Sequence, residues 1–316
     1  MIIFGGFFYK AGFTFSKIIE IKNITWDKIF GERLPLSEYT PLKDENRLNF
    51  LLLGIRGIGD DNGGMLADSI MVVSYQKSTG QIALISLPRD LYLKMPGEKF
   101  YEKINSAYVL GENLYGNGLD YSKKTVGFVT GLYIDHAVAV NFQAFESAID
   151  ILGGVTIHLE QPFVEDKQWW CDEDGKNCKK FVIPAGEQTL DGETALLYVR
   201  SRFSSNDFDR ARRQQQILVA VKDKLLSLNA LTNPKIINNL FNVVADNVKI
   251  DTMPWEFPSL IKLATKANTE NIIRKVFGIS ENGLLKEAQK DGIYILLPKQ
   301  DNFSEIREAC QQIFEL

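Results

Sequence analysis

Short apolar runs and segments of helical period alternate along most of this chain. The apolar runs predict strands at 48–53, 69–75, 81–87, 134–142, 155–159, 181–183, 272–277 and 293–297. Helices are predicted at 126–132, 145–152, 192–198 and 304–314, near 234–245 and 254–267, and after Lys103. Helices that alternate with strands predict a three-layer α/β domain. Because no linker divides residues 48–316, we interpret them as one domain.

The helical segment that begins near Asp207 has one face that is polar in its first turns and apolar further along. At about 100° per residue, one stripe of this helix holds Arg210, Gln214, Ile217 and Val221. Arg213 lies oblique to the stripe, and Arg212 points away from it. Free N–H groups at the start of a helix favour negative charge. An inward-facing guanidinium there predicts a cleft that receives an anion.

The composition makes this basic segment stand out. The chain has 316 residues, 45% of them hydrophobic and 11% aromatic, which is typical of a globular protein. Acidic residues number 40 against 36 basic ones, and the net charge of -4 argues against a general nucleic-acid surface. The basic segment nevertheless contains Arg200, Arg202, Arg210, Arg212 and Arg213. Like charges about 6 Å apart repel by roughly 3 kcal/mol at an effective dielectric of about 20. The cluster therefore needs acids or a bound anion, unless it is a solvated helix with splayed arginines.

Histidine and cysteine are scarce. His136 and His158 stand in predicted strands without neighbouring ligands, which argues against a zinc site or a Ser-His-Asp triad. Cys171 and Cys178 flank a turn-forming stretch; they predict a local disulfide in an exported protein, or two free thiols in a cytosolic one. Cys310 lies in an amphipathic segment and is predicted to be buried.

The N-terminal segment fits two interpretations. Residues 1–8 are apolar, but as a helix they would span only roughly 12 Å of a hydrocarbon core of roughly 30 Å. Residues 1–19 are therefore the trailing end of a membrane helix or a short buried helix. Residues 20–47, which include Pro35 and Pro41, are interpreted as a connector.

Polar residues stand next to several predicted strands. Arg89 follows Pro88 at a strand end, where it is placed to reach a ligand or to form a surface ion pair with Asp90. Asp68 directly precedes the predicted strand at 69–75. In chain order, the motifs are LNFLLLG, ADSIMVVS, ISLPRDLYL, KINSAY, GLYIDHAVAVNF, AIDILGGVTI, GETALLYVRSR and DFDRARRQQQ. This series resembles the LytR-CpsA-Psr family of cell-wall assembly proteins over about residues 48–250.

The resemblance implies a three-layer α/β/α sandwich with a central mixed sheet. It also implies an extracytoplasmic enzyme, anchored in the cell membrane, that takes a glycopolymer from a polyprenyl pyrophosphate carrier. The enzyme would attach that polymer to peptidoglycan through a phosphodiester, assisted by Mg²⁺. The resemblance favours residues 1–19 as a truncated anchor and favours the Cys171–Cys178 disulfide. No nucleic-acid partner is expected.

Residue roles carry over from the matching motifs. The residues expected to bind the substrate are Arg89, Arg200, Arg202, Arg210, Gln214, Lys103 and Asn105. Arg89, Arg210 and Asp68 are the expected catalytic residues, and Asp68 is the expected metal ligand. Helical phase independently selects Arg210 and Gln214.

One position departs from the family pattern. An aspartate is usual two residues after the glycine that ends the first strand, and in this chain that position is Arg56. Three consequences are open. Asp60 or Asp61 joins Asp68 at the metal, or Asp68 and the diphosphate hold Mg²⁺ with waters, or Arg56 supplies the positive charge and metal dependence is weak.

Three alternative functions follow from the same residues. A polyprenyl-diphosphate phosphatase would use water as the acceptor at the same site. A non-catalytic carrier-lipid binder is favoured by Arg56. A transcriptional regulator would explain the basic helix, but the net charge of -4 and the inward phase of Arg210 count against it.

Overall fold

The structure is a computed structural model that describes residues 40–57, 64–166, 180–228, 236, 239–240 and 247–315. The described residues form two compact units. The first unit contains those of 40–141 and 247–315, and the second contains those of 142–240. None of the described helices is long and apolar enough to cross a membrane.

The helices and strands of the described residues follow one another along the chain with these bounds. They are β1 (Arg47–Ile55), β2 (Ala67–Gln76), β3 (Gln81–Leu87), β4 (Tyr92–Lys94), β5 (Tyr101–Lys103), α1 (Ala107–Tyr115), α2 (Gly118–Thr130), β6 (His136–Val140), α3 (Phe142–Ile151), β7 (Val155–Leu159), β8 (Phe163–Glu165), β9 (Phe181–Ile183), β10 (Gly186–Leu190), α4 (Gly192–Arg200), α5 (Asp207–Ser227), β11 (Val248–Ile250), α6 (Phe257–Ala264), β12 (Asn268–Val276), β13 (Leu285–Lys290), β14 (Ile293–Pro298) and α7 (Ser304–Gln311). Short 3-10 helices at Ile104–Ser106 and Pro254–Glu256 precede α1 and α6.

The first unit is built on a six-stranded sheet with the order β11-β6-β1-β2-β3-β12. β1 pairs antiparallel with β2 and parallel with β6, while β3 pairs antiparallel with β2 and parallel with β12, so the sheet is mixed. Apolar runs of the sequence fill its centre, as Leu51 in β1 and Val72 in β2 are both fully buried. Because β1, β2 and β3 are antiparallel neighbours, the end of β1, the start of β2 and the end of β3 share one edge of the sheet.

The second unit packs α3, α4 and α5 with two antiparallel strand pairs, β7 with β10 and β8 with β9. Its core includes Ile149, Val155 and Ile217. Asp191 caps α4 by accepting a hydrogen bond from the Thr194 N–H at 2.9 Å. Asn206 caps α5 in the same way, accepting from the Asp209 N–H at 2.9 Å. Since α4 ends at Arg200 and α5 begins at Asp207, the segment that joins them is only Ser201–Asn206.

The predicted α/β fold with a central mixed sheet is confirmed, and the strands at 81–87, 155–159 and 181–183 have the predicted bounds. Cys310 is buried, as predicted. Gly153 and Gly154 adopt φ angles of 74° and 85° directly after α3, which is why a glycine pair ends that helix.

Several predicted bounds were wrong. The helix predicted at 126–132 begins at Gly118, because the Asn117 side chain caps it by accepting from the Asp120 N–H. The strand predicted at 134–142 ends at Val140, since Phe142 already starts α3. The helix predicted near 254–267 is a 3-10 turn followed by the eight residues of α6. The helix near 234–245 lies largely outside the described residues, and residues 1–19, Cys171 and Cys178 lie entirely outside them.

Candidate functional site

Charged side chains gather at the edge where β1 ends, β2 begins and β3 ends. Asp68 is the second residue of β2, Arg56 follows β1, and Arg89 follows β3. Arg89 Nη1 lies 2.5 Å from Asp68 Oδ1, and Arg56 Nε lies 3.5 Å from Asp68 Oδ2. All three side chains keep between 19% and 29% of their surface exposed, so this edge is charged and reachable by solvent.

Asp90 ties Arg89 to the β4–β5 hairpin. Its Oδ2 lies 3.5 Å from Arg89 Nε, and its Oδ1 lies 2.6 Å from Lys103 Nζ at the end of β5. The Asn105 N–H donates to the Arg89 carbonyl at 3.3 Å. The sequence-predicted residues Asp68, Arg89, Lys103 and Asn105 are thus brought together in the first unit. The ion pair between Arg89 and Asp90, the alternative role predicted for Arg89, forms as part of this network.

The basic helix of the second unit follows its predicted phase. Arg210 is 7% exposed, and its Nη1 lies 3.2 Å from Asp207 Oδ1 one turn earlier. Arg212 is exposed and pairs with Asp209 at 2.5 Å. Ile217, two turns beyond Arg210 on the same stripe, is 1% exposed. The prediction of an inward-facing arginine in the first turn of an otherwise apolar face is therefore confirmed.

The other predicted residues of the second unit lie around the start of α5 and the end of α4. Arg200 ends α4 and places its guanidinium 4.3 Å from the centre of the Phe142 ring, and the Arg202 guanidinium lies 5.3 Å from the Phe203 ring. Gln214 Nε2 donates to the Val199 carbonyl at 3.4 Å. Arg200, Arg202, Arg210 and Gln214 thus come from two consecutive helices and the segment that joins them.

The carboxylate of Glu146 lies near Arg200. Burial raises the pKa of the Glu146 side chain, neighbouring Glu193 and Asp150 raise it further, and Arg200 opposes them. Sequence reasoning missed Glu146, since nothing in the pattern of α3 distinguishes it from other polar residues of that helix.

Arg213, to which helical phase assigns no role, is extensively hydrogen-bonded. It is 7% exposed, and its Nε donates to the Tyr198 carbonyl at 3.0 Å. Its Nη2 donates to the Ser201 carbonyl and, at 3.2 Å, to Ser205 Oγ. Burial lowers the pKa of Arg213. The signal that could have found it is its angle of about 60° from Arg210, which still falls within a wide buried face.

The fit of a magnesium ion depends on Asp68. No group of three metal-ligating side chains occurs among the described residues, and Asp60 and Asp61 lie outside them. Mg²⁺ in phosphoryl-transfer sites is commonly held by one or two carboxylates, with phosphate oxygens and water as the other ligands. Asp68 fits that arrangement as a single carboxylate, because its side chain is 25% exposed.

Arginines lie beside acids at one edge of the mixed sheet in the first unit. In the second unit, arginines lie at the end of α4 and in the first turn of α5. Arginine is the residue type that most often binds phosphate groups in proteins. The chain belongs to the LytR_cpsA_psr family, whose model matches residues 18–312.

Named relatives are consistent with this assignment. The chain is 28% identical over 280 residues to the polyisoprenyl-teichoic acid–peptidoglycan teichoic acid transferase TagT of Bacillus subtilis, covering 87% of this chain and 79% of that protein. A solved structure of TagT bound to LIIa-WTA aligns with a TM-score of 0.63 and 25% identity, over 86% of this chain and 92% of the other. A structure of YwtF (TagT) with bound octaprenyl pyrophosphate lipid aligns with a TM-score of 0.59 at 24% identity, over 89% and 95% of the two chains, and shows the shared fold.

Proposed function

We propose that this protein transfers a glycopolymer from a polyprenyl pyrophosphate carrier to peptidoglycan. The family is the first support, since its relative TagT is named a polyisoprenyl-teichoic acid–peptidoglycan teichoic acid transferase. The observation that carries the proposal is Arg210, a guanidinium 7% exposed in the first turn of a 21-residue helix. A buried cation at a helix N-terminus is suited to a multiply charged anion such as a diphosphate.

The proposed reaction exchanges one P–O bond for another. A hydroxyl of peptidoglycan attacks the phosphorus on the polymer side, the bond from that phosphorus to the bridging oxygen breaks, and polyprenyl phosphate leaves with that oxygen. The polymer keeps its phosphate as a phosphodiester, and the hydroxyl proton passes to a base. Arg89, Arg200, Arg202 and Arg210, with Gln214, Lys103 and Asn105, are the proposed binding groups, because donors placed on the phosphate oxygens stabilise the charge that develops.

Asp68 is proposed to hold Mg²⁺ together with the phosphate oxygens. The ion, when bound, would supply charge neutralisation at the diphosphate. Arg89 would add positive charge at the same place, since it lies 2.5 Å from the Asp68 carboxylate. We further propose that residues 1–19 anchor the chain in the cell membrane with the described units outside the cytoplasm.

The function is tested with Arg89→Ala and Arg210→Ala, assayed with a lipid-linked polymer and peptidoglycan. We expect both variants to lose transfer while the circular dichroism spectrum stays that of the wild type. Wild-type rates in both would contradict the site. Free phosphorylated glycan as the only product would identify a phosphatase, and binding without turnover would identify a carrier-lipid binder.

The metal is tested through binding rather than turnover. Titration calorimetry with farnesyl diphosphate, in Mg²⁺ and then in EDTA, should show tighter binding with Mg²⁺ for the wild type and no response for Asp68→Asn. Equal affinity of the wild type in both buffers would contradict a metal at Asp68 and favour Arg56 as the source of positive charge.

A further inference from the structure

The segment Ser201–Asn206, which we name the arginine loop, joins α4 to α5 in the second unit. It carries Arg202, directly follows Arg200, and leads into the helix turn that holds Arg210. A loop of this kind has little apolar surface to fix it, so the position of Arg202 depends on the polar contacts of its backbone.

Arg213 holds this loop at its start and near its end. Its guanidinium donates to the Tyr198 and Ser201 carbonyls and to Ser205 Oγ. The guanidinium also lies 4.9 Å from the centre of the Phe163 ring, on β8. A planar group with five donors can bond to several oxygens in fixed directions at once, which a lysine ammonium on its flexible stem cannot reproduce.

Glu165 holds the middle of the loop. This carboxylate is 0% exposed, and its Oε2 accepts hydrogen bonds from the Phe203 N–H at 3.1 Å and the Ser204 N–H at 3.2 Å. Those two N–H groups directly follow Arg202 in the chain. Burial of a carboxylate is costly unless it is hydrogen-bonded, and a buried charged network is weak evidence for stability in itself. The network nevertheless fixes the geometry of the loop, which is bonded through the Ser201 carbonyl, the Ser205 hydroxyl and two N–H groups.

We propose that Arg213 and Glu165 are positioning residues that hold the arginine loop and, through it, fix Arg202 for the diphosphate. This inference rests on the proposed function, in which Arg202 is a binding group. Neither residue contacts the substrate in this proposal. A group displaced by about 1 Å can cost up to about a hundredfold in rate. The two buried contacts behind Arg202 are therefore expected to control how well Arg202 engages the diphosphate.

The test is a double-mutant cycle between Arg213→Lys and Arg202→Ala in the full chain, with farnesyl diphosphate as the probe and calorimetry as the readout. Binding is measured at a temperature where circular dichroism shows every variant folded. We expect Arg213→Lys to weaken binding about tenfold when Arg202 is present, and to change it little when Arg202 is already alanine. Arg212→Lys is the matched control on the same helix, and its affinity should equal that of the wild type.

Substitutions of Glu165 test the same inference independently if the Arg213→Lys variant does not fold. Glu165→Gln retains an oxygen that accepts from the Phe203 and Ser204 N–H groups and should keep wild-type affinity, while Glu165→Ala should lose it. A purely structural role would lower the unfolding temperature without this dependence on Arg202.

The inference is overturned if Arg213→Lys or Glu165→Ala binds as the wild type, or if the loss is the same with and without Arg202. Failure of the proposed function gives a different result. The wild-type protein would not bind the probe, or the Arg202→Ala variant would bind normally. Either outcome overturns the role of Arg202 and the positioning role with it.

Discussion

The sheet edge around Asp68 and the end of α4 both gather arginines, but they hold them by different partners. At the sheet edge, Arg56 and Arg89 face the carboxylate of Asp68 and remain partly exposed. At the end of α4, Arg213 faces the Tyr198 and Ser201 carbonyls and is buried. An acid-paired arginine at an exposed edge can exchange its partner for a bound anion, whereas a carbonyl-paired one is part of the fold.

The carbonyl-paired class recurs at other helix ends. Arg47 donates to the Cys310 and Gln311 carbonyls at the end of α7, each at 3.1 Å. Arg307 donates to the Phe128 carbonyl near the end of α2 at 2.9 and 2.6 Å. Burial lowers the pKa of Arg47, Arg213 and Arg307 alike. The unsatisfied carbonyls and negative dipole of a helix C-terminus favour a cation, so an arginine bonded to carbonyls near a helix end stabilises the fold in both units.

The largest effect on stability is expected for Arg47→Ala. Its removal leaves the Cys310 and Gln311 carbonyls and the buried Ser74 hydroxyl without their charged donor. We expect the free energy of unfolding to fall by about 3 kcal/mol, measured by urea denaturation. A loss below about 1 kcal/mol would place Arg47 with the acid-paired arginines. It would contradict the claim that carbonyl-paired arginines stabilise the fold more strongly.

A second, smaller effect is expected at Cys310, whose carbonyl Arg47 holds. Burial raises the pKa of this thiol to about 12, while Arg47 opposes the shift. Because the folded pKa is raised, the stability that it contributes is present below the ordinary thiol pKa and is lost as the pH rises towards 12. We expect iodoacetamide to label Cys310 slowly at about pH 8.5 in the wild type and roughly tenfold faster in Arg47→Ala, as followed by mass spectrometry, because opening of the end of α7 exposes the thiol and outweighs the loss of the Arg47 charge. Equal labelling of the two proteins would show that Arg47 does not close the end of α7.

These contrasts mark where sequence reasoning succeeded and where it failed. Continuous apolar runs predicted the sheet, because strands buried on both faces need them. Helical phase predicted buried Arg210 and exposed Arg212, because the direction of a side chain around a helix follows from its position in the sequence alone. Arg213 and Glu165 were missed because most of their partners are backbone groups of α4 and the arginine loop, and no side-chain pattern reports which carbonyl or N–H group a folded chain leaves to be satisfied.

The acid-paired class is tested with Arg89→Gln. Its partner Asp68 keeps 25% of its side chain exposed, so water can replace the lost ion pair. We expect the free energy of unfolding to change by less than about 1 kcal/mol in the same urea assay, although transfer activity is lost. A loss as large as that expected for Arg47→Ala would show that the sheet edge is built for stability, and would remove the distinction drawn between the two classes.

The smallest effect is expected for Arg212→Ala, and the neighbouring Arg213 provides its matched variant. Arg212 is 64% exposed and pairs with Asp209 on the surface of α5, whereas Arg213, the next residue, is 7% exposed and bonded to carbonyls. We expect the free energy of unfolding to change by less than about 0.5 kcal/mol, and the difference to vanish in about 1 M salt, where charges are screened within about 3 Å. Arg213→Ala, the matched variant, should keep its larger loss at the same salt concentration, because a buried contact is screened much less. Since the two residues share a helix, a charge and a residue type, equal losses would mean that the kind of partner does not determine what an arginine contributes.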